Sequence, residues 1–139
     1  LLLCKISATN DNLEILQIGD STAAIVRDGR MIFKTKQIFK EYDWPPRFGI
    51  EDRIEARHAV IYSVPIQNGD TIIAASRGIF DNVWPCQVEK MIDSAKEIKE
   101  LAQKNSLLKK NADIPFNKQW RVKKQGRNDD KSIIIHRIQ

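Results

Sequence analysis

Carboxylates stand in three short turns, each beside an apolar stretch of the sequence. They are Asp20 in a Gly-Asp-Ser turn, Asp81 in an Ile-Phe-Asp-Asn turn, and the pair Asp129 and Asp130. A carboxylate at the end of a strand is held on rigid backbone at the rim of a sheet. Several such groups together supply the oxygen ligands that a hard divalent cation binds, with water completing an octahedron. The three turns therefore predict a metal site if the fold brings them together.

Taken singly, each turn has a simpler interpretation, because aspartate commonly forms turns by bonding to its own backbone. Other metal and redox chemistry has little support. Two cysteines, Cys4 and Cys86, are too few for a disulfide framework, and with His58 and His136 they lack zinc-finger spacing. His136 has no partner motif for catalysis, and we interpret it as structural.

The size and charge of the chain set broad limits. Its 139 residues and 16.0 kDa suit one domain, and 42% apolar residues are enough for a core, which argues against a disordered chain. The net charge of +5 permits a nucleic acid or an acidic partner and requires neither. No apolar run approaches the roughly 20 residues of a membrane-spanning helix.

The first residues, LLLCKIS, are apolar and have neither a signal peptide's charged leader nor a transit peptide's composition. We interpret this as a fragment that begins inside a strand, with an upstream half missing. A natural domain start after a trimmed leader is the alternative.

Alternating apolar residues and turn signals predict seven strands and one helix. The first four strands, joined by tight links, are expected to form an antiparallel meander, with an Asp28-Gly29 hairpin turn before the fourth. The strands are predicted over 1–8, 13–18, 22–27, 30–35, 60–66, 71–76 and 132–138.

Beyond Pro85, apolar residues recur at three- and four-residue spacing. This predicts one amphipathic helix of about five turns over 86–104, packed on a sheet through one apolar face. That face comprises Val88, Met91, Ile92, Ala95 and Ile98.

Five segments, in order, resemble the C-terminal half of the type 2C metal-dependent protein phosphatases, and especially their mitochondrial branch. LQIGDSTAAIVRDGRMIFKTK is similar to the family's Gly-Asp-Ser strand pair and hairpin, and GDTIIAASRGIFDNVW to a segment that usually ends Thr-Asp-Gly-Leu-Phe-Asp-Asn. GRNDDKSIIIHRI is similar to the closing Asp-Asp strand. IFKEYDWPPRFGI and Ile114-Pro115-Phe116 resemble two loops of the branch.

The resemblance implies an α+β fold, a four-layer α-β-β-α sandwich, of which this chain is the C-terminal half. That half would be mainly antiparallel sheet with one long helix. In the family, two Mg²⁺ or Mn²⁺ ions at one rim activate a water that attacks a phosphoserine or phosphothreonine. By resemblance, Asp129 occupies a metal-ligand position and Asp20 one that helps hold a weaker third metal. Asp81 and Asn82 match a turn that shapes the rim, and no metal is assigned to them.

Two departures bear on catalysis, and no catalytic residue is assigned. Arg77 stands where the family has an aspartate that is a principal metal ligand. The family's bridging Asp-Gly pair and its phosphate-holding residues belong to the N-terminal half, which is not in this chain. Either the Arg77 side chain turns into solvent and slow catalysis survives, or its guanidinium takes the metal's place and pairs with Asp129 and Asp20, as arginine favours with carboxylates.

The segment 104–127 is the basic part of the chain, with eight lysines and arginines against Asp113 alone. It can be a solvated loop, or a docking surface for RNA or an acidic partner, because clustered cations and Trp120 supply phosphate contacts and a stacking face. The candidate partner-binding residues are Lys109, Lys110, Lys123 and Lys124.

Two functions therefore compete for a single, partial phosphatase-like domain over 1–139 with a basic loop segment at 104–127. The first is a pseudophosphatase that acts as an interaction or structural subunit, together with protein partners, in a larger mitochondrial or other intracellular assembly. The second is a phosphoserine/phosphothreonine phosphatase whose Mg²⁺ or Mn²⁺ site is altered. In both, the missing N-terminal half is an expected partner.

Overall fold

A computed structural model describes residues 1–7, 11–38, 58–107 and 129–139 of the chain. The described residues form seven strands in two antiparallel sheets and three helices. None of these helices is long and apolar enough to cross a membrane. The α+β fold class predicted from the sequence is confirmed.

All seven strands lie within two residues of their predicted bounds. The strands are β1 (Leu2–Ile6), β2 (Asn12–Gln17), β3 (Thr22–Arg27), β4 (Arg30–Lys34), β5 (Val60–Pro65), β6 (Thr71–Ala75) and β7 (Ile133–Arg137). The hairpin between β3 and β4 turns at Asp28 and Gly29, with φ values of 50° and 74°. The expected Asp-Gly turn is therefore present, because such a turn needs positive φ at both central residues.

The expected four-stranded meander is wrong, since the chain changes sheets between β2 and β3. The first sheet has the order β1-β2-β5 and the second the order β4-β3-β6-β7. Two sheets packed face to face lie about 10 Å apart, so a short link can cross between them as readily as it can turn within one sheet. The crossing occurs at Gly19, whose φ of 95° favours glycine.

Two apolar cores hold the layers together. Between the sheets, the inward faces of the two sheets bury residues that include Leu13, Ile15, Ile25 and Ile72. On its other face the second sheet packs against the helices. The strand β6 lies at the centre of that sheet, paired with β3 and β7, and is largely buried, as its continuous apolar run predicted.

The single long helix expected over 86–104 is wrong. Three helices cover this region, namely α1 (Arg77–Phe80), α2 (Pro85–Lys90) and α3 (Ala95–Ser106). Ser94 is the reason for the break before α3, because its backbone is extended and its side chain accepts the Glu97 N–H at 3.2 Å. This N-cap starts a new helix.

The apolar face predicted for that helix still packs inward. Val88 and Ile98 are fully buried, and Met91 and Ile92 pack against the same core. All three helices bury residues in the core on the outer side of the second sheet. Within the described ranges, no helix covers the outer side of the first sheet.

Candidate functional site

The loop that carries Asp20 is fixed at one rim by a buried amide. Gln17, the last residue of β2, points inward with Leu13 and Ile15 and is fully buried. Its Nε2 donates to the carbonyl oxygens of Gly19, Ser21 and Lys36 at 3.1, 2.7 and 2.8 Å. Gln17 thus ties the β2–β3 crossing to the chain that leaves β4.

Arg77 is the first residue of α1, and only Ser76 separates it from the end of the central strand β6. Its Nε donates to Asp81 Oδ2 at 2.8 Å, one helical turn further on. The side chains of Arg77 and Asp81 are 11% and 9% exposed. The Nε2 of Gln37 donates to the other Asp81 oxygen at 3.2 Å. Both oxygens of this carboxylate are therefore engaged.

The same guanidinium reaches Asp20, with Arg77 Nη1 3.6 Å from Asp20 Oδ2. Arg77 therefore spans two carboxylates that come from different layers of the fold. The expected pairing of Arg77 with Asp20 is confirmed. Asp81, for which the resemblance implies only a rim-shaping role, lies closer to Arg77 than Asp20 does.

The pKa of Asp20 reflects its burial and the charged groups around it. Burial raises the pKa of Asp20 above its ordinary value, against the opposing effects of a backbone hydrogen bond and Arg77. The charges of Asp129 and Asp81 also raise this pKa. Asp20 and Asp81 both contact Arg77, and the Asp129 carbonyl lies against the next residue, Gly78, so the structure brings the three predicted acidic turns to one rim.

The Asp129 segment is held against the start of α1. Ser76 Oγ donates to the Asp130 carbonyl at 2.7 Å and accepts the Ser132 N–H at 2.9 Å. A Cβ on Gly78 would collide with the carbonyl oxygens of Asp129 and Asp130, so only glycine fits there. The Oδ1 of Asp129 accepts the N–H of Asp130 at 2.9 Å. Pairing of Asp129 with Arg77 stays a prediction.

These residues do not fit a divalent ion as they stand. Across the described ranges, no group of three His, Cys, Asp or Glu side chains is placed to hold a metal. The guanidinium supplies positive charge to Asp20 and Asp81, but it offers no coordination position at which a water could be activated. Arginine is also always protonated, so Arg77 cannot act as a general base.

Sequence reasoning missed both glutamines of this site. Gln17 could have been flagged, because it continues the inward alternation of Leu13 and Ile15 and must therefore be a buried polar residue. Gln37 carries no such signal, since it lies after β4 in a stretch without periodicity.

The proposed basic contact residues Lys109, Lys110, Lys123 and Lys124 lie outside the described residues, as does Trp120. Only 104–107 of the segment 104–127 is described, and it forms the end of α3 and the residue after it.

Comparison with known structures resolves the fold. The chain superposes on the photosystem II phosphatase PBCP with a TM-score of 0.78 and 22% identity, covering 96% of this chain and 61% of that one. Its fold is that of the type 2C protein phosphatases. The catalytic domain of the serine/threonine phosphatase PstP, solved with two manganese ions, matches with a TM-score of 0.55 and 17% identity over 99% of this chain and 59% of that one.

Curated relatives also support the type 2C protein phosphatase family, although no family model matches the chain. Probable protein phosphatase 2C 26 of Arabidopsis thaliana is 26% identical over 91% of this chain and 50% of its own length. Probable protein phosphatase 2C 1 of Oryza sativa subsp. japonica is 26% identical over 85% of this chain and 37% of its own length. The chain spans half or less of the length of these relatives.

Proposed function

We propose that the chain is a type 2C phosphatase-like module that does not remove phosphate and serves instead as an interaction or structural unit of a larger assembly. The observation that carries the proposal is the position of Arg77. Its guanidinium lies within ion-pair distance of Asp20 and Asp81, at a rim where the family resemblance places a metal ligand.

A guanidinium can replace the structural effect of a metal but not its chemistry. It neutralises neighbouring carboxylates with directional hydrogen bonds, and this stabilises a rim that would otherwise suffer repulsion among Asp20, Asp81 and Asp129. In an active member of the family, bound metal ions would lower the pKa of a water so that it attacks phosphate. Arg77 keeps the rim intact without providing that nucleophile.

Calorimetric titration with Mn²⁺ tests this proposal on the full polypeptide that contains the chain. The parent should bind no pair of ions at sub-millimolar concentration, whereas Arg77→Asp should gain affinity, because it removes the competing cation and adds an oxygen ligand. Arg30→Asp is the matched control, since it makes the same charge change on an exposed residue of β4. Sub-millimolar binding of two Mn²⁺ ions by the parent would contradict the proposal.

The second candidate is a phosphoserine/phosphothreonine phosphatase with an altered Mg²⁺ or Mn²⁺ site. The retention of Asp20 and Asp129 at one rim favours it. Metal-dependent turnover of phosphoserine and phosphothreonine peptides by the unmodified full polypeptide would establish this function and reverse our ranking. Because the remaining ligands are expected from the upstream half, the assay requires that half.

A third candidate is binding of RNA or an acidic protein through 104–127, which carries a net charge of +7 while the rest of the chain carries −2. Contact by Lys109, Lys110, Lys123 and Lys124 remains part of this proposal.

A mitochondrial setting rests on the sequence resemblance and is tested by imaging the tagged full polypeptide in cells of its source organism.

A further inference from the structure

A cavity of about 490 Å³ opens to solvent between α3 and the residues that lead into β7. Its volume lies in the range of about 300–1,000 Å³ that is usual for small-molecule sites. Every residue that lines it is polar, and four of the five carry a charge. They are Lys99, Gln103, Asp129, Asp130 and Lys131. The cavity therefore has room for a small ligand, and its lining favours a charged one.

Lys131 is the buried member of this lining. It is 8% exposed, whereas lysine is almost never fully buried unless it is paired. Its Nζ donates to the carbonyl oxygen of Asp129 at 2.6 Å. An ammonium group has three N–H donors, and this carbonyl is its single acceptor among the described residues. A buried charge with unused donors is costly, so Lys131 points to an anionic group bound in the cavity.

Three further side chains of the lining are available to a ligand. Lys99 and Gln103 are exposed and lie one turn apart on the same face of α3. They add a second ammonium and an amide donor for an anionic group. The carboxylate of Asp130 is exposed as well. None of these three side chains has a hydrogen-bond or ion-pair partner within the described ranges.

The backbone beneath the cavity is fixed before any ligand binds. Ser76 Oγ donates to the Asp130 carbonyl at 2.7 Å, and the carbonyl oxygens of Asp129 and Asp130 pack against Gly78. Asp129 also turns Oδ1 towards its own chain, where it accepts the Asp130 N–H at 2.9 Å. A fixed wall lowers the entropy cost of binding, because fewer groups must be ordered around the ligand.

We propose that this cavity binds a small zwitterion of the α-amino-acid type. Lys131 holds the ligand carboxylate together with Lys99 and Gln103, and Asp130 pairs with the ligand ammonium. The charges of the lining support this class, since two lysines and two aspartates sum to zero. A simple anion would be repelled by the aspartates and a simple cation by the lysines. The proposal holds for an active or an inactive rim.

Saturation-transfer NMR on the full polypeptide tests the site through the methyl signals of three probes. They are L-alanine, propionate, which lacks the ammonium, and ethylammonium, which lacks the carboxylate. The variants are Lys131→Met and Asp130→Asn. Their matched controls are Lys96→Met and Asp93→Asn, which make the same changes at exposed positions outside the cavity.

L-alanine should bind saturably, and each of the other probes at least about tenfold more weakly, because one charged contact is lost. Both variants should weaken L-alanine binding by a similar factor, while the controls leave it unchanged. Asp130→Asn should not weaken propionate, since it removes a repelling carboxylate.

Equal affinity for L-alanine and propionate would overturn the proposal in favour of a simple anion site. No saturable binding of L-alanine, or undiminished binding by Asp130→Asn, would overturn it as well. Asp130 is exposed, so its variant keeps the test decisive even if the buried Lys131→Met fails to fold.

Discussion

Arg77 places a fixed positive charge beside Asp20, which the family resemblance associates with a metal, and beside Asp81, to which it assigns none. Its hydrogen bond to Asp81 and its ion pair with Asp20 join α1 to the β2–β3 crossing. Gln17 donates a hydrogen bond to the Ser21 carbonyl, next to Asp20, and Gln37 donates one to the Asp81 carboxylate. The rim is therefore organised by side chains of this chain, and we expect its geometry to be independent of a bound ion.

A thermal denaturation series should show this independence. The melting temperature of the parent chain should be the same in EDTA and in millimolar Mn²⁺, because Arg77 already neutralises part of the rim charge. Arg77→Asp should melt lower in EDTA and recover part of the loss with Mn²⁺, since carboxylate repulsion is then relieved by the ion. If Mn²⁺ raises the melting temperature of the parent as much as that of Arg77→Asp, this expectation is wrong.

Gly78 is a second residue-scale constraint, imposed by the Asp129 and Asp130 backbone. Gly78→Ala should destabilise the chain by about 1–3 kcal/mol, the usual cost of overpacking a close contact. Urea denaturation measures the change, and Cys86→Ala, at an exposed position of α2, should change stability by no more than about 0.5 kcal/mol. If Gly78→Ala and Cys86→Ala change the free energy of unfolding equally, the Asp129 and Asp130 backbone does not pack tightly against Gly78.

The buried Asp70 predicts how stability depends on pH. Two hydrogen bonds from Arg27, both 2.8 Å, lower the pKa of Asp70, and the backbone N–H of Gln67 acts in the same direction. A lowered pKa in the folded state gives stability that is present above the unfolded pKa of about 4 and is lost as pH falls through the folded value.

The pH effect is isolated by comparing the parent with Asp70→Asn, since Asp20 has a raised pKa and contributes in the opposite sense. The stability difference between the two proteins should shrink as the pH is lowered from 7 to 3. Urea midpoints at each pH give the measurement. A difference that stays constant over this range would show that the Arg27 bonds do not lower the pKa of Asp70.

Among the elements, the break between α2 and α3 shapes the helical layer. The N-cap at Ser94 starts α3, whose Ile98 and Ala102 lie in the core and whose Asn105 donates to the carbonyl of Asn82 at 2.8 Å. The start of α3 thus decides how the helix packs behind the rim turn.

Ser94→Ala should cost about 1 kcal/mol, because it leaves an N–H of the first turn of α3 without its side-chain partner. Ser94→Asp should keep most of the stability, since aspartate accepts the same hydrogen bond. Gln103→Ala, on the exposed side of α3, serves as a control. Equal stability of the alanine and aspartate variants would show that the cap contributes nothing.

For the whole molecule, the distribution of charge is uneven, with +7 on the segment 104–127. We propose that this segment attracts RNA or an acidic protein, through contacts that should weaken with salt as counterions are released and attraction is screened over about 8 Å at physiological ionic strength. Only its first four residues, 104–107, are described, at the end of α3.

Reversal of Lys109, Lys110, Lys123 and Lys124 to Glu should abolish recovery of an RNA or acidic protein partner in pull-downs of the full polypeptide. The fold should be retained, since each surface change costs no more than about 0.5 kcal/mol. Reversal of Lys96 and Lys99 on the exposed side of α3 is the control and should leave recovery unchanged. Unchanged recovery after the fourfold reversal would remove the basic segment from the proposal.

The sequence by itself determined where the strands lie and which residues occupy the turns. Side-chain alternation is a local property of extended backbone, so β2, β3 and β6 could be predicted nearly residue by residue. The Asp28-Gly29 hairpin followed from the positive φ that its turn needs. The grouping of Asp20, Asp81 and Asp129 at one rim came from the family resemblance, since these positions are too far apart in sequence for local rules.

Only the tertiary structure decided which sheet each strand joins, where the helix breaks and what Arg77 touches. Sheet membership depends on packing between distant segments, and a four-residue link such as that between β2 and β3 is compatible with either outcome. The apolar periodicity continues through Ser94, so the break in the helix became visible only from its capping hydrogen bond. The pairing of Arg77 with Asp81 depends on the helical turn of α1, which brings residues four positions apart together on one face.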